Sequence, residues 1–124
     1  MAKKVLVVDD TAVVRKMLKT IYENEGWVVL EAEDGVKAVE IYKRIKPDLV
    51  TMDISMVNGD GITATQEIKK IDPDAKIIMI SASSEKSLVL KSLQAGAQGF
   101  LVKPIDQNRL LEETRKLVGD WEKE

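Results

Sequence analysis

Five polar residues stand where an apolar run ends. Asp9 and Asp10 follow VLVV, Asp53 follows LVTM, Ser81 follows IIMI and Lys103 follows GFLV. Carboxylates drawn into one place repel one another unless something neutralises them. The chain has no histidine and no cysteine, so the cation that suits such a group is hard and oxygen-loving, as Mg²⁺ is. Asp9, Asp10 and Asp53 carry −3 and Lys103 carries +1, so the group holds −2 without metal and zero with one Mg²⁺. At −2 it repels a phosphate; with the metal and the lysine it can receive one. A carboxylate can then act as nucleophile and hold the phosphoryl group as an acyl phosphate. Mg²⁺ and Lys103 would stabilise the oxygens of the transferring group, and the Ser81 hydroxyl can donate a hydrogen bond to one of them.

Whether these residues meet depends on the elements that carry them. Apolar runs rich in Val and Ile begin near Val5, Val28, Leu49, Ile77 and Phe100, with helix-length amphipathic stretches between them. That alternation reads as βαβ units and a parallel sheet. Val14, Met17, Leu18 and Ile21 share a face of a helix over 11–24, which Gly26 ends. Ala38, Ile41, Tyr42 and Ile45 do the same over 35–46, ahead of Pro47. Further helices are expected over 62–71, over 85–95 with Gly96 after it, and over 107–121. The last turns Leu110, Leu111, Thr114, Leu117, Val118 and Trp121 inward. These stripes are core packing.

The runs at 5–8, 49–52 and 77–80 are apolar on both faces, which belongs to strands covered by helices on both sides. Right-handed crossovers supply those helices. In an open parallel sheet all strand C-termini lie at one edge, and ligands bind there at the switch in strand order. Three carboxylates, one hydroxyl and one ammonium, far apart in the chain, are therefore expected in one crevice. Each also has a plainer role. Asp10 can cap the first helix, Ser81 can be a turn residue, and Lys103 can be solvated. The conjunction outweighs the parts because the polar ends converge from separate strands.

Composition narrows the rest. At roughly 100–200 residues per domain, 124 residues make one domain. Hydrophobic residues at 44% and charged residues at 32% are the balance of a globular protein. Without cysteine there are no disulfides or thiolate zinc sites. Without histidine there is no Ser-His triad and no imidazole switch. Nineteen Lys and Arg against 21 acids give a net charge of −2, so a nucleic-acid partner is not expected. Nor is a membrane partner, since a span takes ~20 apolar residues. The N-terminal apolar run stops at Asp9-Asp10, short of the ~7–15 residues of a signal peptide. A cytoplasmic location is expected.

The segments V-L-V-V-D-D, L-V-T-M-D, I-I-M-I-S-A and G-F-L-V-K-P, in that order, resemble the receiver domain of bacterial two-component response regulators (CheY-like). The resemblance runs over residues 4–118 and makes 1–124 one response-regulatory domain. It implies a flavodoxin-like α/β fold: a three-layer αβα sandwich of five parallel strands in the order 2-1-3-4-5 with five helices. It also implies a phosphorylation-activated signalling switch that catalyses only its own phosphorylation and dephosphorylation and is not otherwise an enzyme. A histidine kinase would be the donor and Mg²⁺ the cofactor. Output would pass by protein–protein contact through the face of the fourth helix, fifth strand and last helix, as in stand-alone chemotaxis regulators.

Residue by residue, the resemblance makes Asp53 the phosphoryl acceptor. Asp10 becomes a direct Mg²⁺ ligand and Asp9 one acting largely through water. Ser55 offers a backbone carbonyl to the metal. Ser81 contacts the phosphoryl group, with the small Ala82 beside it, and Lys103 neutralises it. Phe100 takes the aromatic switch position, moving with Ser81, and the Lys103-Pro104 peptide is expected to be cis. One departure stands out. The family usually has Asp-x-x-Met-Pro here, whereas this chain has Asp53-Ile54-Ser55-Met56-Val57. Val57 leaves that loop a free N–H and a wider φ range. The Gly59-Asp60-Gly61 stretch keeps the turn character expected before the third helix.

Other readings fit less well. A haloacid-dehalogenase-type phosphatase also uses an aspartate nucleophile with Mg²⁺, but needs an acid two residues later, where Ser55 stands. A flavin carrier of this topology wants a Ser/Thr/Gly phosphate loop after the first strand, the opposite of Asp9-Asp10. A receiver cut from a longer regulator remains an alternative. The roughly 20 residues after Pro104 suffice for one helix, so no output domain is expected within the chain.

Overall fold

The computed structural model describes residues 2–56 and 60–123; Val57 and Gly59 lie outside the described residues. Strands and helices alternate as β1 (Lys4–Val8), α1 (Ala12–Asn24), β2 (Val28–Ala32), α2 (Gly35–Ile45), β3 (Leu49–Asp53), α3 (Gly61–Ile71), β4 (Ile77–Ser81), α4 (Lys86–Ala95), β5 (Gly99–Val102) and α5 (Gln107–Val118). The five strands form one sheet in the order β2-β1-β3-β4-β5, and every pairing is parallel. This is the flavodoxin-like order expected above.

The apolar pattern explains which strands lie inside. β1, β3 and β4 are the three interior strands, and β3 and β4 are buried along their whole length. Side chains alternate between the faces of a strand, and the core divides accordingly. Leu6, Val8, Val50, Met52, Ile77 and Met79 pack with Ala38 and Tyr42 of α2 and with Ala64 and Ile68 of α3. Val5, Val7, Leu49, Ile78 and Ile80 pack with Leu18, Ile21 and Tyr22 of α1 and with Leu110 and Leu111 of α5. Leu88 of α4 joins the first group, so α2, α3 and α4 cover one side and α1 and α5 the other. β2 and β5 are the edges and are only partly buried.

Local signals set the helix limits. Asp34, Asp60 and Asp106 each accept a backbone N–H of the first turn, from Lys37, Thr63 and Arg109 at 2.8, 2.7 and 3.2 Å. Gly26 and Gly96 take the left-handed backbone that ends α1 and α4. Three expectations are corrected. Met17 and Ile45 are exposed, because the core-facing stripe of each helix is narrower than its apolar stripe. The last helix stops at Val118, three residues short of Trp121, because Gly119 leaves helical geometry at φ 79°. Trp121 still packs inward, edge-on to Trp27 with centroids 5.2 Å apart and the Arg115 guanidinium 4.8 Å from its own ring.

Candidate functional site

The parallel sheet brings the strand ends together as topology requires. Asp9 follows β1, Asp53 closes β3, Ser81 closes β4 and Lys103 follows β5. Carboxylate oxygens of Asp9, Asp10 and Asp53 lie within 4.8 Å of one another. Asp9 and Asp53 are buried, while Asp10 is exposed at the mouth. Lys103 Nζ reaches into the group, 3.1 Å from Asp9 Oδ2 and 3.6 Å from Asp53 Oδ1. The ammonium therefore leans toward Asp9 and bridges two of the three acids. The Lys103-Pro104 peptide is cis, as expected.

Asp9 is held at several atoms. Its N–H donates to the Ala32 carbonyl at 3.1 Å, and its Oδ1 accepts the Thr11 N–H at 2.8 Å. Thr11 caps α1 without a side-chain bond to the first turn; its N–H is taken by Asp9, and its hydroxyl donates to Asp10 Oδ1 at 3.5 Å. Around Asp53 the backbone is tight. The Gly61 N–H donates to the Ile54 carbonyl at 3.0 Å, which sets the first turn of α3 directly against the end of β3. A Cβ on Gly61 would stand 2.1 Å from the Asp53 carbonyl oxygen. Ser55 is exposed, and its backbone N–H bonds the Asp53 carboxylate.

Electrostatics follow from this geometry. Burial, then the neighbouring Asp9 charge, push the Asp53 carboxyl up to about 6, against the pull of Lys103. Burial works against the Lys103 charge, but its hydrogen bonds and ion pairs with Asp9 and Asp53 outweigh that and raise its pKa. One ammonium does not balance the acids. An all-oxygen set of three carboxylates with a net negative charge fits a hard divalent cation such as Mg²⁺.

Ser81 is buried, and its Oγ accepts the Ser83 N–H at 3.0 Å. The turn role is therefore real, and the hydroxyl proton is not used by that bond. The Lys103 N–H donates to the Ser81 carbonyl at 2.7 Å, which locks the ends of β4 and β5 together. Phe100 is half-buried, stands opposite Met79 and packs on the α2–α3–α4 side. Side-chain alternation along β4 puts Ser81 on the same side as Met79, so Phe100 and Ser81 share a face. Ala82 is exposed beside them. Sequence reasoning missed Arg15, whose Nη1 donates to the Asp9 carbonyl at 2.7 Å. Its one signal was a cation a turn inside the helix that follows an acidic pair.

A parallel sheet in this order, with acids from β1 and β3 facing a lysine from β5, agrees with the sequence comparisons. The profile of the response regulator receiver domain matches residues 5–115, and the chain belongs to that family. The chemotaxis protein CheY of Bacillus subtilis (strain 168) is 53% identical over 120 residues, covering 96% of this chain and all of that protein. CheY of Thermotoga maritima is 49% identical over 118 residues, covering 94% of this chain and 98% of that one. In the CheX-CheY-BeF3-Mg complex from Borrelia burgdorferi, the matched chain superposes with a TM-score of 0.88 at 39% identity, over 92% of this chain and 87% of that one. This chain is a CheY-like receiver domain of two-component signalling, and stand-alone chemotaxis regulators are its relatives at about 50% identity. Among the described residues no helix is long and apolar enough to cross a membrane.

Proposed function

We propose that Asp53 accepts a phosphoryl group from a histidine kinase and that the phosphorylated chain signals by protein–protein contact in the cytoplasm. The observation that carries this reading is the convergence of the Asp9, Asp10 and Asp53 carboxylates, with the Lys103 ammonium set on Asp9 and Asp53. An Asp53 carboxylate oxygen forms a bond to phosphorus as the phosphorus–nitrogen bond of the donor breaks. The imidazole leaves with the electron pair and is protonated from solvent. Mg²⁺, when bound by Asp9, Asp10, Asp53 and the Ser55 carbonyl, supplies charge neutralisation at the phosphoryl oxygens. Lys103 places its ammonium beside the acceptor, and Ser81 donates its hydroxyl proton to the group once attached. Hydrolysis of the acyl phosphate resets Asp53, so the chain's only catalysis is on itself.

Intact mass after incubation with acetyl phosphate and Mg²⁺ tests this. Wild type gains one phosphate and Asp53→Asn gains none; equal gains would remove Asp53 as acceptor. Asp10→Ala should weaken Mg²⁺ binding by at least about tenfold, whereas the distant Glu113→Ala should not. In metal-free buffer Asp10→Ala should also raise stability by about 0.5–2 kcal/mol, as relief of crowding at a functional site usually does. Equal Mg²⁺ affinities in a titration would remove Asp10 as a ligand.

Output is assigned to the face of α4, β5 and α5. Exposed Leu90, Leu93 and Val102 there are accompanied by the exposed charges of Glu85, Lys86, Lys91 and Arg109, a mixture suited to reversible contact. A cleft of about 350 Å³ between Val102, Pro104, Ile105 and Arg109 opens on the same side. Gln98 contributes less than its exposure suggests, because its amide is spent on Ile77 N–H and the Ala75 carbonyl, both at 2.9 Å. When Ser81 moves toward the phosphoryl group, Phe100 turns into the space behind it. Both ring orientations are populated beforehand, since phenylalanine has no hydroxyl to anchor it outside. Amide shifts on adding beryllofluoride should spread across residues 85–110 in wild type and shrink in Phe100→Ala. An identical response in the two proteins removes Phe100 from the switch.

A further inference from the structure

Arg15 is the fourth residue of α1, and its side chain is 17% exposed. Its guanidinium faces two ways. Nη1 donates to the Asp9 carbonyl oxygen at 2.7 Å, and Nε lies 3.5 Å from Glu31 Oε1 on β2. A planar fork of fixed donors thus ties the end of β1 to the edge strand through the start of α1. The held carbonyl belongs to the peptide joining Asp9 to Asp10. Its plane sets the direction in which the next residue, Asp10, leaves the backbone. Asp9 needs little such help, since its N–H and both carboxylate oxygens are already engaged by Ala32, Thr11 and Lys103. Asp10 is exposed and its Oδ1 accepts the Thr11 hydroxyl at 3.5 Å, and the peptide that Arg15 holds sets the direction from which its carboxylate meets Asp9 and Asp53.

We propose that Arg15 is a positioning residue for the metal group: by holding the Asp9–Asp10 peptide it aims the Asp10 carboxylate at Asp9 and Asp53. This rests on the reading that the three acids take Mg²⁺. Groups that orient metal ligands through such hydrogen bonds typically change metal affinity by ~10–100-fold when removed. The sign separates this role from a purely electrostatic one. A fixed cation near a Mg²⁺ site repels the ion, so if Arg15 acted only through its charge, removing it would tighten Mg²⁺ binding. If it positions Asp10, removing it weakens binding. If it only stabilises the fold, Mg²⁺ affinity of the folded variant stays at the wild-type value.

The experiment is calorimetric Mg²⁺ titration of wild type, Arg15→Ala and Arg15→Lys, with circular dichroism verifying the folded state. Amide hydrogen exchange is followed in metal-free buffer alongside. Arg15→Ala should bind Mg²⁺ at least about tenfold more weakly than wild type. Arg15→Lys, which keeps the charge and loses the fork, should be weakened severalfold. In both, the Thr11 amide, bonded to Asp9, should exchange faster without any metal present. Equal or tighter Mg²⁺ binding by folded Arg15→Ala overturns the proposal. Should that variant not fold, wild-type affinity in Arg15→Lys overturns it instead. Absence of Mg²⁺ binding by wild type overturns the metal reading itself and this inference with it.

Discussion

Asp53→Asn should make the metal-free protein more stable at pH 7.5, by on the order of 2–3 kcal/mol, and should leave stability nearly unchanged at pH 4. Burial and the Asp9 charge raise the Asp53 carboxyl from 3.8 to about 6 in the folded protein. Below about pH 4 the folded and unfolded chains both hold this proton, and the site costs nothing. Between about 4 and 6 the folded chain keeps a proton that the unfolded chain has released. The unfolded chain is therefore increasingly favoured as pH rises through that window, and above about 6 the whole cost is present. Asparagine cannot ionise, so it avoids the cost at every pH. Lys103 then pairs with Asp9 alone, already the nearer partner at 3.1 Å. Urea midpoints of the two proteins from pH 4 to 8 without metal check this. Parallel curves would mean that the Asp53 charge is not strained in the fold. Saturating Mg²⁺ should stabilise wild type above pH 6 more than Asp53→Asn, because only wild type presents the complete set of acids.

Gly61→Ala should lower stability by about 1–3 kcal/mol and slow phosphorylation of Asp53 by acetyl phosphate. The added methyl would stand 2.1 Å from the Asp53 carbonyl oxygen, 2.9 Å from its carbonyl carbon and 2.9 Å from Met52 Cγ. The first two are backbone atoms of an interior strand whose register with β4 pairs Asp53 with Ile80, so they cannot step aside cheaply. The cost is steric: α3 begins too close to β3 for any side chain at that position. Relief comes by pushing α3 away or by shifting Asp53, and either moves the proposed acceptor relative to Lys103. Gly119→Ala makes the contrast, because a Cβ there meets nothing within 4 Å and only the backbone at φ 79° is strained. It should destabilise modestly and leave the phosphorylation rate alone. Wild-type midpoint and rate in Gly61→Ala would contradict this account of the β3–α3 junction.

Alternation of apolar runs with amphipathic stretches already determines a parallel α/β sheet in this chain. Period 2 and period 3.6 are properties of neighbouring residues, and a parallel sheet places all strand C-termini at one edge whatever the details. That is why Asp9, Asp53, Ser81 and Lys103 could be assigned to one crevice, and why a cation was expected with them. The runs at 5–8, 49–52 and 77–80 even mark the three interior strands, since only a strand covered on both faces is apolar on both. What tertiary structure alone decided depends on distances across the chain. Lys103 lies nearer Asp9 than Asp53, burial and the Asp9 charge push the Asp53 carboxyl up to about 6, and a Cβ at position 61 would have no room beside the Asp53 carbonyl. Arg15 reaches the Asp9 backbone, where sequence offered only one basic residue among several on an amphipathic helix. The end of α5 at Val118 belongs here too, since an apolar Trp121 extends the stripe while Gly119 and the Trp27 ring decide where the chain goes. Each of these is set by burial and by contacts between residues far apart in sequence, which no local pattern encodes.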